Sequence, residues 1–220
     1  MQGIKLNTQG VRATLDRSKT MFREPMEDTT ILNICEISGE VSTVSSWPEN
    51  KRYTKSEFIE EHAKYKVGEE LFVQEEFTVS NHGTHVYSAD GRDKNGYLWP
   101  TVAKDILGVD WLHASEMTKE QSRLKIRITG RKFEYLQDIS EEDCIKEGFK
   151  ITSELGEDYR EKCIYFNGYF LAMCEMYGDA SSDIAKRVYR TKVWKPLNYP
   201  PKYQWSANPP VFAYEYEVVS

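Results

Sequence analysis

The sequence predicts a single α+β domain built around a small strand core, and three observations lead there. Strand-like and helix-like segments are short and interspersed, without the regular alternation that builds a parallel α/β sheet. No internal repeat or low-complexity linker divides the 220 residues, a length that suits one large domain. Hydrophobic residues make up 40% of the chain, and 14 Tyr, 9 Phe and 5 Trp supply large side chains to fill a core.

Residues 4–6 read as a first strand. Asn7 and Thr8 then offer N-cap oxygens to a helix carrying Val11, Ala13, Thr14 and Leu15, which ends near residues 16–18. Residues 18–25 are mostly polar and read as a connection, with Pro25 blocking any helix. Residues 31–37 and 40–47 are strand-like around a Ser38-Gly39 turn. Residues 54–64 suit a short helix, 71–79 and 85–89 suit strands, and Asp90-Gly91 and Asn95-Gly96 mark turns. The clearest alternation is Arg123-Leu124-Lys125-Ile126-Arg127-Ile128, a half-buried strand whose basic face is either solvated or the wall of a pocket. Ser140-Glu141-Glu142-Asp143 opens a helix, with Ser140 as cap, Asp143 at the capping-box position and Gly148 as the stop. Residues 158–177 and 182–194 read as helices, so 158–195 looks like a helical insertion before the last strand. Pro196, Pro200 and Pro201 predict an extended connection, and residues 211–219 a closing strand.

The formal net charge of −6 argues against a protein that holds long duplex DNA by neutralising phosphates, though it leaves room for a local basic groove or a pocket for one base. No segment approaches the ~20 apolar residues of a membrane span. Residues 1–20 lack the apolar stretch of a signal peptide, so a cytoplasmic protein is expected. Cys35, Cys144, Cys163 and Cys174 form no C-x-x-C pair and read as reduced thiols. His82, His85 and His113 lack ligand spacing, and the phosphate-loop, dinucleotide and zincin motifs are absent, so no metal or cofactor is expected.

Five sequence blocks, in order, carry a resemblance. Asn7-Thr8 through Val11-Arg12-Ala13, Leu15 and Lys19-Thr20 is similar to "NT-x-x-VRA-x-L-x-x-x-KT". Tyr65-x-Val67-Gly68-Glu69-x-Leu71-x-Val73-x-Glu75 resembles "Y-x-x-G-D-x-L-W-V-R-E". Trp111, Ser115, Met117 and Ser122-Arg123 resemble "W-x-x-S-x-x-MP-x-x-ASR". Leu136-Gln137-Asp138-Ile139-Ser140, Asp143 and Glu147-Gly148 resemble "LQDIS-x-x-D-x-x-x-EG". Trp205, Ala207-Asn208-Pro209 and Val211 resemble "W-x-x-NP-x-V". These are blocks of the ASCH-domain proteins of the PUA-like superfamily, in particular a phage and prophage group labelled morphogenetic proteins. The resemblance spans Asn7 to Val211. It implies that residues 1–220 form one PUA-like domain, a small β-barrel flanked by helices. The cleft between barrel and helices would bind a nucleobase, a modified nucleoside or short single-stranded RNA.

A small bacterial relative in that superfamily hydrolyses the amide of an acetylated cytidine with a Lys, a Thr and a Glu. Its Lys matches Lys19 and its Glu matches Glu147, but its Thr falls on Phe22; Thr20 is the neighbouring hydroxyl. The catalytic set, if the chain is an amidohydrolase, is therefore Lys19, Thr20 and Glu147. Burial of an ammonium favours its neutral form, which a base requires, and an amide hydrolase also needs a nucleophile and an oxyanion stabiliser. The binding set is Lys19, Phe22, Arg23, Glu75, Trp111, Arg123 and Glu147, with Phe22 free to stack on a base. Each has a plainer reading. Lys19 and Arg23 complement a helix end, Glu75 faces solvent or pairs with an Arg, Trp111 and Trp205 fill the core, and Glu147 is a surface acid. A third possibility is a phage accessory protein whose 158–195 surface engages a host protein.

Overall fold

A computed structural model of the chain describes residues 1–27, 32–35, 40–44, 50–79, 83–90, 110–148, 150–152, 163–166, 169–171, 186 and 189–219. The strands are β1 (Gln2–Lys5), β2 (Met21–Pro25), β3 (Leu32–Cys35), β4 (Glu40–Val44), β5 (Asn50–Thr54), β6 (Glu70–Gln74), β7 (Phe77–Val79), β8 (His85–Tyr87), β9 (Lys125–Tyr135), β10 (Lys150–Thr152), β11 (Cys163–Phe166), β12 (Tyr169–Leu171) and β13 (Pro210–Val218). The α-helices whose bounds lie within the described residues are α1 (Thr8–Leu15), α2 (Lys55–His62) and α3 (Glu141–Lys146).

One five-stranded sheet organises the chain, in the order β1, β6, β9, β13, β2. β1 runs parallel to β6 and the other neighbours are antiparallel. The α+β class is as expected, but among the described residues this sheet is open, with edges at β1 and β2, and does not close into a small barrel. At the start of β2 the end of α3 meets the chain: Thr20 N–H donates to the Lys146 carbonyl at 2.7 Å, and Lys19 bridges Glu147.

The predicted alternation on β9 holds, with Leu124, Ile126 and Ile128 buried. On β13, Val211, Phe212, Ala213 and Tyr214 are all buried, because the strand lies between β9 and β2 and is packed on both faces. The main core joins these strands to Val11 of α1 and Phe58 of α2. Each such aromatic contributes roughly 1.5–3 kcal/mol by leaving water. A second cluster gathers Leu136, Ile139, Cys144, Tyr189, Trp194 and Val211. The α2 start carries the full capping box, Thr54 with Glu57.

Three expectations are corrected. Residues 18–25 are not only a connection: Met21–Pro25 is a sheet strand, with Met21, Phe22 and Arg23 all buried. Arg23 disguised the strand, since an arginine is rarely buried unless paired. Within 158–177, Cys163–Phe166 and Tyr169–Leu171 are strands paired antiparallel, not helix. Both are rich in aromatic and β-branched residues, and the sequence between them, Asn167-Gly168, is a hairpin signal. Around the prolines the chain forms short 3₁₀ turns, Lys195–Leu197, Pro201–Tyr203 and Trp205–Ala207, instead of an extended run. Pro196 and Pro201 fit there because the first turn needs no N–H. Helical geometry does occur at Tyr189–Trp194, as a π turn. The Ser38-Gly39 and Asn95-Gly96 turns, and the rest of 158–185, lie outside the described residues.

Candidate functional site

Lys19 reaches the interior by a tight reversal after α1. Asn7 caps the helix start, its Oδ1 accepting from Gly10 N–H at 2.7 Å. At the far end Arg17 adopts a left-handed φ of 63°, and Lys19 N–H returns to the Ala13 carbonyl at 2.8 Å. Glu147 is set by α3, which Ser140 caps. Gly148 follows with φ 101°, and a Cβ there would lie 3.0 Å from Ala13 Cβ and 3.3 Å from Lys19 Cβ. Only glycine suits both the backbone angle and the approach. The two side chains meet in a buried ion pair, Lys19 Nζ to Glu147 Oε2 at 2.5 Å.

Arg23 lies beside that pair with no exposed side-chain surface. Its Nε donates to Glu134 at 2.9 Å. Its Nη1 donates to Glu147 Oε1 at 2.9 Å and to Met21 Sδ at 3.4 Å. Its Nη2 donates to Glu134 at 2.6 Å and to Asp143 at 2.9 Å. All five guanidinium N–H groups are therefore taken. Lys132 joins from β9, bonded to Asp143 and, at 2.8 Å, to Glu134. Three cations thus face three carboxylates. Burial works against the Arg23 charge, but Glu147, Glu134 and the nearby Tyr189 outweigh it and hold its pKa above the ordinary arginine value. Burial likewise pushes the Asp143 carboxyl up, yet Lys132 and Arg23 bring it below the usual aspartate value.

A cavity of about 70 Å³ opens against this network, where the two hydrophobic clusters meet. Lys19, Phe22, Arg23, Glu147, Tyr189 and Tyr199 line it. At the rim stand Glu24, whose carboxyl is pushed up by burial, and exposed Asn7. Asn7 has its oxygen committed to the cap, so its amide N–H₂ is the group left to offer. Lys19 spends two of its three N–H groups on the Glu147 carboxylate and carbonyl. Glu147 keeps acceptor capacity on both oxygens. The site can therefore hold a small, flat, polar group by donors, an acceptor and aromatic walls. Among the described lining residues there is no Ser, Thr or Cys side chain.

Four of the expected residues, Lys19, Phe22, Arg23 and Glu147, share this cavity. Phe22 is already stacked on Tyr214, with centroids 5.1 Å apart and planes at 27°. Thr20 does not line the cavity; its backbone is held by Lys146 and Tyr216. Glu75 and Arg123 form a separate pair through two hydrogen bonds of 2.9 and 3.2 Å. Arg123 also bonds Asp90 and lies 4.2 Å over the Tyr87 ring. Arg127 is likewise paired, with Glu70 and Glu217, and none of Arg123, Lys125 and Arg127 lines the cavity. Trp111 is half-buried near β7, and its indole Nε1 is buried without a hydrogen-bond partner among the described residues.

Sequence reasoning missed Glu134, Lys132, Tyr189 and Tyr199, and read Asp143 only as a capping-box residue. Ser140 does accept from the Asp143 N–H at 3.1 Å, while the Asp143 carboxylate turns to Arg23 and Lys132. One signal was available: Lys132 and Glu134 are two apart on a strand and so share a face. Among the described residues no group of three or more His, Cys, Asp or Glu is placed to hold a metal ion, and no helix is long and apolar enough to cross a membrane. Comparison with protein-family models, curated proteins and solved structures returned no match.

Proposed function

We propose that the chain is a PUA-like, ASCH-type binding module, of phage or prophage origin and acting in the host cytoplasm, whose cavity takes the edge of one nucleobase. The observation that carries this reading is the buried Lys19–Glu147 pair set among Phe22, Tyr189 and Tyr199. A carboxylate can accept from an exocyclic amine, an ammonium can donate to a ring carbonyl, and aromatic walls suit a flat ring. At about 70 Å³ the space is well below the ~300 Å³ and upward of drug-sized sites. It therefore suits the edge of one base, with sugar and phosphate outside. The sequence blocks around Lys19 and Glu147 support the same reading by resemblance. Binding is favoured over amide hydrolysis because Phe22 stands where the relative has its nucleophile.

The test is calorimetric titration with cytidine, N4-acetylcytidine and a panel of other modified nucleosides. One of them is expected to bind, with affinity at least tenfold weaker in Glu147→Gln. Asn7→Asp is the fold-safe companion, since Asp caps a helix as well as Asn but replaces the donor at the rim with an acceptor. No binding by any member, or binding indifferent to both variants, would overturn the reading. Release of acetate from N4-acetylcytidine would make the site an amidohydrolase instead.

A further inference from the structure

Next to the cavity lies a groove of about 620 Å³ on the segment that precedes β13. Its floor is Trp194, buried and fixed by a 2.9 Å bond from its Nε1 to the Tyr203 carbonyl. Half-buried Tyr199 and Trp205 form its aromatic walls, and exposed Arg190 and Lys195 its cationic ones. No carboxylate is among its described lining residues, in a chain of net charge −6. The groove adjoins the cavity: Tyr199 lines both, and Tyr189 of the cavity packs on Trp205 with centroids 6.2 Å apart. Trp194 and Tyr199 pack at 4.9 Å, so the wall they share is stiff.

We propose that this groove holds the nucleotides flanking the base in the cavity, so that the ligand is a single-stranded oligonucleotide and not a free nucleoside. Arg190 and Lys195 meet its phosphates, and Tyr199 and Trp205 stack on its bases. This combination of flat aromatic faces with cations and no acids is how single strands are held with little sequence demand. The size is that of a ligand site, and the local charge is opposite to that of the chain as a whole. The proposal rests on the base-binding reading of the cavity and extends it by a second, independent surface.

Fluorescence anisotropy separates the two. The probe is a labelled RNA hexamer carrying at its third position the tightest nucleoside of the panel, or an unmodified mixed-sequence hexamer if none binds. The hexamer is expected to bind at least tenfold more tightly than the nucleoside. The double variant Arg190→Ala, Lys195→Ala should remove that gain, leave nucleoside affinity unchanged, and flatten the log–log salt slope by about 1.4 for two lost phosphate contacts. A control double variant, Lys66→Ala with Lys119→Ala, removes the same charge from exposed sites elsewhere and should change neither. A nucleoside that binds as tightly as the hexamer, or a hexamer indifferent to the groove variant, would overturn the groove while sparing the cavity. A hexamer lost with the groove variant but untouched by Glu147→Gln would do the reverse. Displacement of the hexamer by an oligoglutamate of equal charge would assign the groove to acidic peptides and overturn the proposal.

Discussion

The Arg23 guanidinium is the hub of the site, yet with all five N–H groups spent on Glu134, Glu147, Asp143 and Met21 it has no donor left for a ligand. Its part is to hold the carboxylates, above all the Glu147 oxygen opposite the one Lys19 takes. An ammonium cannot span those acceptors, so Arg23→Lys is expected to cost about 3 kcal/mol in urea denaturation, near the cost of breaking a buried pair. Full stability in that variant would show the fork to be dispensable. The acids titrate in opposite senses. Asp143 lies below its ordinary value of 3.8, so its stabilisation is present above that pH and is lost as pH falls through its folded value. Glu75 is raised above 4.5, chiefly by burial against the pull of Arg123, so its contribution is present below 4.5 and lost as pH rises through the folded value. The stability advantage of wild type over Asp143→Asn should thus shrink below pH 3.8. Relative to Glu75→Gln, wild type should instead gain stability as the pH is lowered from neutral toward 4.5. Parallel pH profiles in both comparisons would contradict these assignments. From the sequence, Lys19, Phe22, Arg23 and Glu147 were legible as a group only through resemblance to a family. Their carboxylate partners were not, because an acid's companion on another strand depends on sheet register.

At the level of elements, two of the resembling blocks prove to be one joint. Gln137 N–H donates to Asn208 Oδ1 at 2.8 Å, Gln137 Nε2 to the Trp205 carbonyl at 2.8 Å, and Leu136 N–H to the Pro209 carbonyl at 3.0 Å. Asn208 holds a left-handed φ of 45°, a conformation asparagine tolerates. These blocks therefore set where β13 starts beside β9. The helices that were readable, α1, α2 and α3, carry their own caps at Asn7, Thr54 and Ser140, so local sequence suffices for them. β2 was hidden by the arginine it buries, whereas β11 was misread as helix although its aromatic and β-branched residues and the Asn167-Gly168 pair after it carry a hairpin signal. The most exacting junction is Gly148, where α3 touches α1 and Lys19. Gly148→Ala should cost about 1–3 kcal/mol through overpacking and the positive φ. It should also weaken whichever nucleoside the cavity binds, because the added methyl presses on the Lys19 stem. Unaltered melting and affinity would refute the close approach.

Across the whole molecule, acidic composition hides a local balance: the charge of −6 coexists with a neutral six-residue network at the cavity and, beside it, a groove with no acid among its described lining residues. Composition alone speaks only to bulk charge and had no means of locating either surface. Nor does a sequence pattern reveal an open sheet in which β1 pairs in parallel with a strand nearly 70 residues on. The placement of β13 has a consequence in time. β2 has no sheet neighbour among the described residues except β13, although almost 190 residues separate their synthesis. On the ribosome, Met21, Phe22 and Arg23 must wait for β13 to emerge, and the cavity that Phe22 and Arg23 line with Tyr189 and Tyr199 cannot be complete much earlier. Chains stalled before residue 210 should therefore be cut readily by protease within 18–27, whereas chains extended well past 218 should resist. Equal resistance in both would mean that the nascent chain has found another partner for β2.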